Sequence, residues 1–324
     1  MKNRNTTTVV RTPFEKEVYE GLTAFPKYLS SKFFYDKKGD ALFQKIMGLP
    51  EYYLTRCETE IFELHKQKLA EDFDGKKQGF DLIELGAGDG KKTKILLQEL
   101  LNTERDFTYK PIDISQNALD GLARSLEKEF PKIKVSPERG EYFEVLKSLK
   151  TASDRKKVIM VLGSNIGNLL HPRAIEFLQQ LCDALHEQDV LFIGFDQKKN
   201  PQTVLDAYND SQGVTAAFNK NILTRINQEL AGDFNLEAFK HWEVYDPETG
   251  TAKSYLVSKH QQTVTIDRLG LKIDFAPWES VHTEISQKYD DAIVSWLAAE
   301  SGLEIVRSFA DSQAYYKNYL FKKK

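Results

Sequence analysis

The chain has 324 residues, with 45 Lys and Arg against 48 Asp and Glu for a net charge of −3, and 41% hydrophobic and 29% charged residues. That length suits two domains of roughly 100–200 residues each. The near-neutral balance gives no whole-chain attraction to nucleic acid or to a membrane surface, so neither is expected as a partner, and no obligate protein partner is evident.

Two cysteines, Cys57 and Cys182, are too few for a disulfide framework or a zinc cluster. No bound metal is expected. No stretch approaches the ~20 apolar residues of a membrane helix. The polar start, residues 1–8, lacks the apolar core of a secretory signal, so a cytoplasmic protein is expected.

In chain order, the spacing of apolar residues predicts a helix from Glu15 to Tyr28. A turn-like run from Ser31 to Gly39 leads to a second helix from Asp40 to Met47. Pro50 breaks it, and Thr55 is placed to cap a third helix running to about Phe73.

The middle of the chain alternates strand and helix. Strands are predicted at Phe80–Leu85, Phe107–Ile112, Ile133–Val135, Lys157–Leu162 and Val190–Phe195. Helices are predicted at Lys91–Leu101, Gln116–Phe130 and Arg173–His186. Strands joined by helical crossovers imply a parallel sheet buried on both faces. Pro201 to Leu230 reads as mostly helical, Tyr255 to Phe275 as alternating strand-like runs, and Leu303–Phe309 with Tyr315–Phe321 as a closing hairpin.

The fold class expected is therefore α/β: a Rossmann-like sheet with a C-terminal antiparallel hairpin, a layout that resembles that of class I methyltransferases, plus a second α+β domain. Residues 61–196 and 287–324 are assigned to a cofactor-binding domain, and 9–60 and 197–286 to a substrate-binding domain.

The first predicted strand runs into Glu84-Leu85-Gly86-Ala87-Gly88-Asp89-Gly90, with a helix after it. Glycines in that context permit a sharp turn and let a ligand approach the backbone. A dinucleotide loop would place a third glycine at position 91, which is Lys91. A bare βα turn would look the same in isolation. Asp113, at the end of the second strand, can accept protons from both ribose hydroxyls, or it can cap the following helix. Glu141 and Tyr142 follow the third strand, where an adenine would lie, and Lys92 could reach a methionyl carboxylate.

Five segments together resemble the histidine-specific Nα-methyltransferase family of ergothioneine biosynthesis. They are Phe34–Gly39 (FYDKKG), Leu49–Arg56 (LPEYYLTR), Leu162–Leu169 (LGSNIGNL), Gly213–Asn219 (GVTAAFN) and Thr283–Ser286 (TEIS). The resemblance runs in order over nearly the whole chain.

It implies that S-adenosylmethionine is held by Gly86, Lys92, Asp113, Glu141 and Tyr142, with Tyr35 near the sulfonium. It also implies that a small-molecule amino acid is held by Tyr52, Asn168, Tyr208, Glu284 and Ser286. The activity implied is methylation of the α-nitrogen of free L-histidine, repeated up to three times, with Tyr35 and Asn168 as candidates to orient the amine.

The residue types suit those roles. The Asn168 amide offers a donor and an acceptor to a zwitterion, and Tyr208 can donate to a carboxylate without adding charge. Glu284 and Ser286, two apart in an extended run, can share one face and meet an imidazole. Two positions depart from the family pattern: Asn165 replaces a smaller hydroxyl residue, and Ser254 stands where histidine-specific members carry Met. Tryptophan or a prenylated tryptophan is the alternative acceptor, and a non-catalytic S-adenosylmethionine-binding protein the alternative of another class.

Overall fold

A computed structural model describes residues 12–75, 78–114, 116–140, 142–152 and 155–324. The polar stretch 1–8 and Glu141 lie outside the described residues. The chain divides into two compact units: residues 1–53 with 199–286, and residues 54–198 with 287–324.

The larger unit is built on one mixed sheet. Its strands are β1 (Phe80–Leu85), β2 (Phe107–Asp113), β3 (Lys134–Val135), β4 (Glu138–Arg139), β5 (Lys156–Val161), β6 (Val190–Asp196), β12 (Leu303–Ala310) and β13 (Tyr316–Lys323). The order across the sheet is β12-β13-β6-β5-β1-β2-β3, with β4 also pairing β2. The strands from β6 to β3 are mutually parallel, whereas β13 runs antiparallel to β6 and β12 antiparallel to β13.

All six residues of β1 are buried, as a strand with parallel neighbours on both sides and layers on both faces requires. The connecting helices are α3 (Tyr53–Phe73), α4 (Lys91–Asn102), α5 (Gln116–Glu129), α6 (Tyr142–Ala152), α7 (His171–Ala184) and α10 (Asp291–Glu300). Ile83, Leu85, Ile159, Leu191, Ile193 and Phe195 form the centre of the core on one face, with Leu178 and Leu181 of α7 and Val294 and Leu297 of α10 over them.

The smaller unit carries helices α1 (Pro13–Thr23), α2 (Lys37–Met47), α8 (Pro201–Tyr208) and α9 (Val214–Leu230). Beside them lie β7 (Phe239–Asp246), β8 (Thr251–Ser258) and β11 (Ser280–Gln287) as a three-stranded sheet ordered β11-β8-β7. A separate antiparallel pair joins β9 (Gln262–Ile266) and β10 (Leu271–Phe275).

Several helix starts differ from the sequence reading for identifiable reasons. α1 begins at Pro13 because Thr12 and Glu15 form a reciprocal capping box, and it ends at Thr23 because Ala24 is extended. α2 begins at Lys37, three residues early, because the Asp36 carboxylate accepts the Gly39 N–H at 2.7 Å. Thr55 does not cap α3. It lies inside the helix, where its carbonyl accepts the Thr59 hydroxyl at 2.7 Å.

The helical region 201–230 is two helices, separated by a turn in which both Asp210 carboxylate oxygens accept the N–H groups of Val214 and Thr215. Strand β7 and helices α6 and α10 were not anticipated. Among the described residues no helix is long and apolar enough to cross a membrane, and no cluster of His, Cys, Asp and Glu is placed to hold a metal ion.

Candidate active site

In the larger unit, the loops after the parallel strands gather at the carboxyl edge of the sheet, where open α/β folds bind ligands. Gly86 follows β1 at φ +72°, and its N–H donates to the Ile112 carbonyl at 2.8 Å. A Cβ here would stand 2.7 Å from the Tyr142 hydroxyl and 3.5 Å from Asn165 Nδ2, so any side chain would collide with the ring that closes over the turn.

Gly88 shows a different demand. It also has positive φ, +54°, but a Cβ would meet nothing within 4 Å. Its left-handed backbone is exposed in the turn that leads into α4, so a ligand could approach it without meeting a side chain.

Asp113 ends β2, half-buried and paired in register with Arg139 of β4. Tyr142 opens α6. Asn168 ends a 3-10 turn, Asn165–Asn168, in the loop after β5, and both asparagines are exposed. That turn is pinned from below, where the buried Tyr289 hydroxyl donates to the Ile166 carbonyl at 3.1 Å.

Of the buried carboxylates at this edge, Glu84 and Glu58 lie beside the glycine turn and α4. Glu84 of β1, 3% exposed, accepts Thr93 Oγ1 at 2.8 Å and the Tyr109 hydroxyl at 2.5 Å. Burial outweighs both hydrogen bonds and the nearby Lys92 charge, and its pKa rises to about 7.

Glu58 of α3 is wholly buried. One of its oxygens accepts the Lys92 ammonium and the Gly163 N–H at 2.8 Å, and the other accepts Asn318 Nδ2 at 2.9 Å. The ammonium of Lys92 is thus held by a carboxylate of the protein itself. Glu58 escaped the sequence reading. The available signal was a Glu sharing a helical stripe with Leu54, Ile61 and Phe62, all buried.

In the smaller unit, residues from four separate segments meet. Tyr35 ends a 3-10 turn, Ser31–Phe34, ahead of α2, and its ring packs edge-on to Phe43 and Phe218 at 5.6 Å. Tyr52 lies just before α3, with its ring 6.2 Å from that of Tyr208 at 86° and 6.3 Å from that of Phe43. Tyr208 ends α8, and its hydroxyl lies 2.7 Å from Ser286 Oγ on β11. Glu284 stands two residues earlier on the same strand, half-buried.

The Tyr35 residue as a whole is 42% exposed, yet the groups crowded about it desolvate its hydroxyl. Desolvation raises its pKa well above the usual phenol value, and Glu284, Tyr52, Asp40 and Tyr208 push in the same direction. Tyr35 is therefore a protonated hydrogen-bond donor at neutral pH and not a phenolate base.

The Tyr208–Ser286 contact has a further consequence. Each hydroxyl carries one proton, so while they are bonded to each other one of the two protons is spent inside the pair. At most one proton of the pair remains to donate, and Glu284 adds a carboxylate beside it. Ser254, 4% exposed on β8, donates to Glu243 of β7 at 2.6 Å.

Similarity searches place these observations among known proteins. A family model described as histidine-specific, SAM-dependent methyltransferase matches residues 14–323. The histidine N-alpha-methyltransferase of Mycolicibacterium smegmatis is 35% identical over 297 residues, covering 91% of this chain and 90% of that protein. The ergothioneine biosynthesis protein 1 of Schizosaccharomyces pombe is 28% identical over 91% of this chain and 39% of its own length. The 4-dimethylallyltryptophan N-methyltransferase of Trichophyton verrucosum is 25% identical over 91% of this chain and 89% of its own.

Proposed function

This chain belongs to the histidine-specific, SAM-dependent methyltransferase family, and from that membership we propose that it methylates the α-nitrogen of free L-histidine, up to three times, to give a betaine. It is an enzyme and uses S-adenosylmethionine. The residues at the carboxyl edge of the sheet fit that cofactor. Gly88 leaves open space beside a left-handed backbone, Tyr142 closes over Gly86, and Asp113 stands at the end of β2. When bound, the cofactor supplies an electrophilic methyl carbon on a sulfonium.

In this reading the larger unit is the cofactor-binding domain and the smaller one the substrate-binding domain. Gly86, Lys92, Asp113, Glu141 and Tyr142 hold the cofactor, with Tyr35 at the sulfonium. Asp113 accepts from the ribose hydroxyls. Lys92, tied to Glu58, also fixes the first turn of α4, which aims its ammonium from a set position.

The observation that carries the amino-acid assignment is the meeting of Tyr35, Tyr52, Tyr208, Glu284 and Ser286 in one unit from four segments. A histidine presents a carboxylate, an amine and a ring with one N–H and one bare nitrogen. Glu284 accepts the ring N–H. The Tyr208–Ser286 pair faces either the bare ring nitrogen or the carboxylate.

Asn168 holds the amine by its side-chain oxygen. Tyr35, protonated, donates and does not remove a proton. The amine must arrive neutral, because an ammonium has no lone pair with which to attack. Each of the first two methylated products, formed as an ammonium ion, must give its extra proton to solvent before the next transfer. Positioning then supplies much of the rate.

Mass spectrometry of the protein incubated with S-adenosylmethionine and a panel of free amino acids tests the reading. Mono-, di- and trimethylated histidine are expected. Turnover of tryptophan or dimethylallyltryptophan with none of histidine would overturn it.

A further inference from the structure

Tyr208 meets Ser286 only if the end of α8 is held in place, and two buried groups with no part in the chemistry above do the holding. His241, in β7 and 8% exposed, has Nε2 2.9 Å from the Tyr208 carbonyl oxygen. A carbonyl can only accept, so Nε2 carries the proton.

Asn219 of α9, 2% exposed, has Nδ2 2.8 Å from His241 Nδ1 and 3.1 Å from the Tyr255 carbonyl oxygen. Turning the amide over would aim its oxygen at the Tyr255 carbonyl, acceptor against acceptor. The Tyr255 carbonyl therefore fixes Nδ2 on this side, and His241 Nδ1 must accept from it. Both contacts demand the same neutral imidazole, protonated at Nε2. Burial of the ring pushes its pKa down, which favours that neutral form.

We propose that Asn219 and His241 are positioning residues for amino-acid binding, forming a relay Asn219–His241–Tyr208 that aims the Tyr208 hydroxyl at Ser286. This rests on the reading that Tyr208 and Ser286 grip the amino acid. The relay ties three elements, α9, β7 and α8, to one hydroxyl on β11. Every contact in it lies in one unit of the chain, and every side chain in it is buried. It acts on the backbone at Tyr208 and leaves the hydroxyl itself in place. A loss in the relay therefore misaims a donor without removing it.

The test compares two polar replacements of one ring. In His241→Gln the amide nitrogen reaches as far as Nε2 did and can still donate to the Tyr208 carbonyl. In His241→Asn the shorter side chain reaches only as far as Nδ1 and loses that contact. With L-histidine as substrate, His241→Asn is expected to raise KM about 10-fold, the loss of one buried hydrogen bond. His241→Gln is expected to stay within about 3-fold of the parent. Neither should alter kcat strongly, nor the S-adenosylmethionine dissociation constant measured by calorimetry.

In a Tyr208→Ala background, His241→Asn should add nothing further to KM. Equal losses in the two variants, a parallel loss of S-adenosylmethionine affinity, or additivity with Tyr208→Ala would overturn the relay. Tyr208→Phe alone checks the underlying reading. If it leaves the histidine KM unchanged, Tyr208 does not grip the amino acid, and the relay has no substrate role whatever the His241 variants do.

Discussion

Replacing Glu84 with Gln should change how the protein's stability depends on pH. Glu84 is 3% exposed, and burial lifts its pKa from 4.5 to about 7 even though Tyr109 and Thr93 both donate to it. The folded state therefore keeps a proton that the unfolded chain gives up. Below about pH 4.5 the carboxyl is neutral in both states and costs nothing. As pH rises through about 7 the folded protein must carry a buried charge, and the stability present at low pH is lost.

A rise from 4.5 to about 7 corresponds to roughly 3 kcal/mol at ~1.36 kcal/mol for each pH unit. Gln cannot ionise, so the gap in stability between Glu84→Gln and the parent should widen in favour of the variant by about that amount between pH 4.5 and 8. For a unit of this size that is about 6–12 °C in the relative melting temperature. Thermal denaturation of both proteins without cofactor, at several pH values across that window, measures it. A gap that stays constant with pH would refute the reasoning, because it would mean that Glu84 ionises normally in the folded state.

Other substitutions report on the two units separately. Glu284→Ala should raise the histidine KM by about 10- to 100-fold with S-adenosylmethionine affinity unchanged, and equal losses in both would mark Glu284 as a support of the fold. Gly88→Ala should cost about 1 kcal/mol of stability from its left-handed backbone, and should weaken S-adenosylmethionine binding, read by calorimetry, by at least about 10-fold as its methyl enters the open space at the turn. Glu58→Ala leaves Lys92 and the Gly163 N–H without their acceptor and should destabilise by about 3 kcal/mol, read by urea denaturation. Glu58→Gln keeps the shape and should recover part of that loss.

Much of the sheet was legible because its strands are short apolar runs punctuated by glycine. Phe80–Leu85 matches at both ends, bounded by Gly79 and Gly86, both at positive φ. Strand β7 was not legible, although it starts with clean alternation of buried Phe239 and His241 against exposed Lys240 and Trp242. A histidine at an inward position breaks the apolar pattern, and only the partners Asn219 and Tyr208 make its burial tolerable. Helix α10, Asp291–Glu300, is so apolar that no helical period stands out, and its start depends on the Asp290 cap to the Ile293 N–H at 2.9 Å.

Motifs could name Tyr52, Tyr208, Glu284 and Ser286. They could not show that the Tyr208 and Ser286 hydroxyls bond to each other across 78 positions of sequence, and so spend one of their two protons on each other. The partner of Lys92 was equally hidden, since Glu58 lies 34 residues away on another helix.

That hidden carboxylate also bears on how the protein can be made. One oxygen of Glu58 is satisfied by Asn318, which follows it by 260 positions of sequence. Until β13 pairs with β6, α3 cannot settle over the sheet without leaving one Glu58 oxygen lacking its Asn318 donor. Docking of α3 is thereby chained to the arrival of the C-terminal strand, and a nascent chain arrested before residue 318 should leave residues 54–73 open to protease.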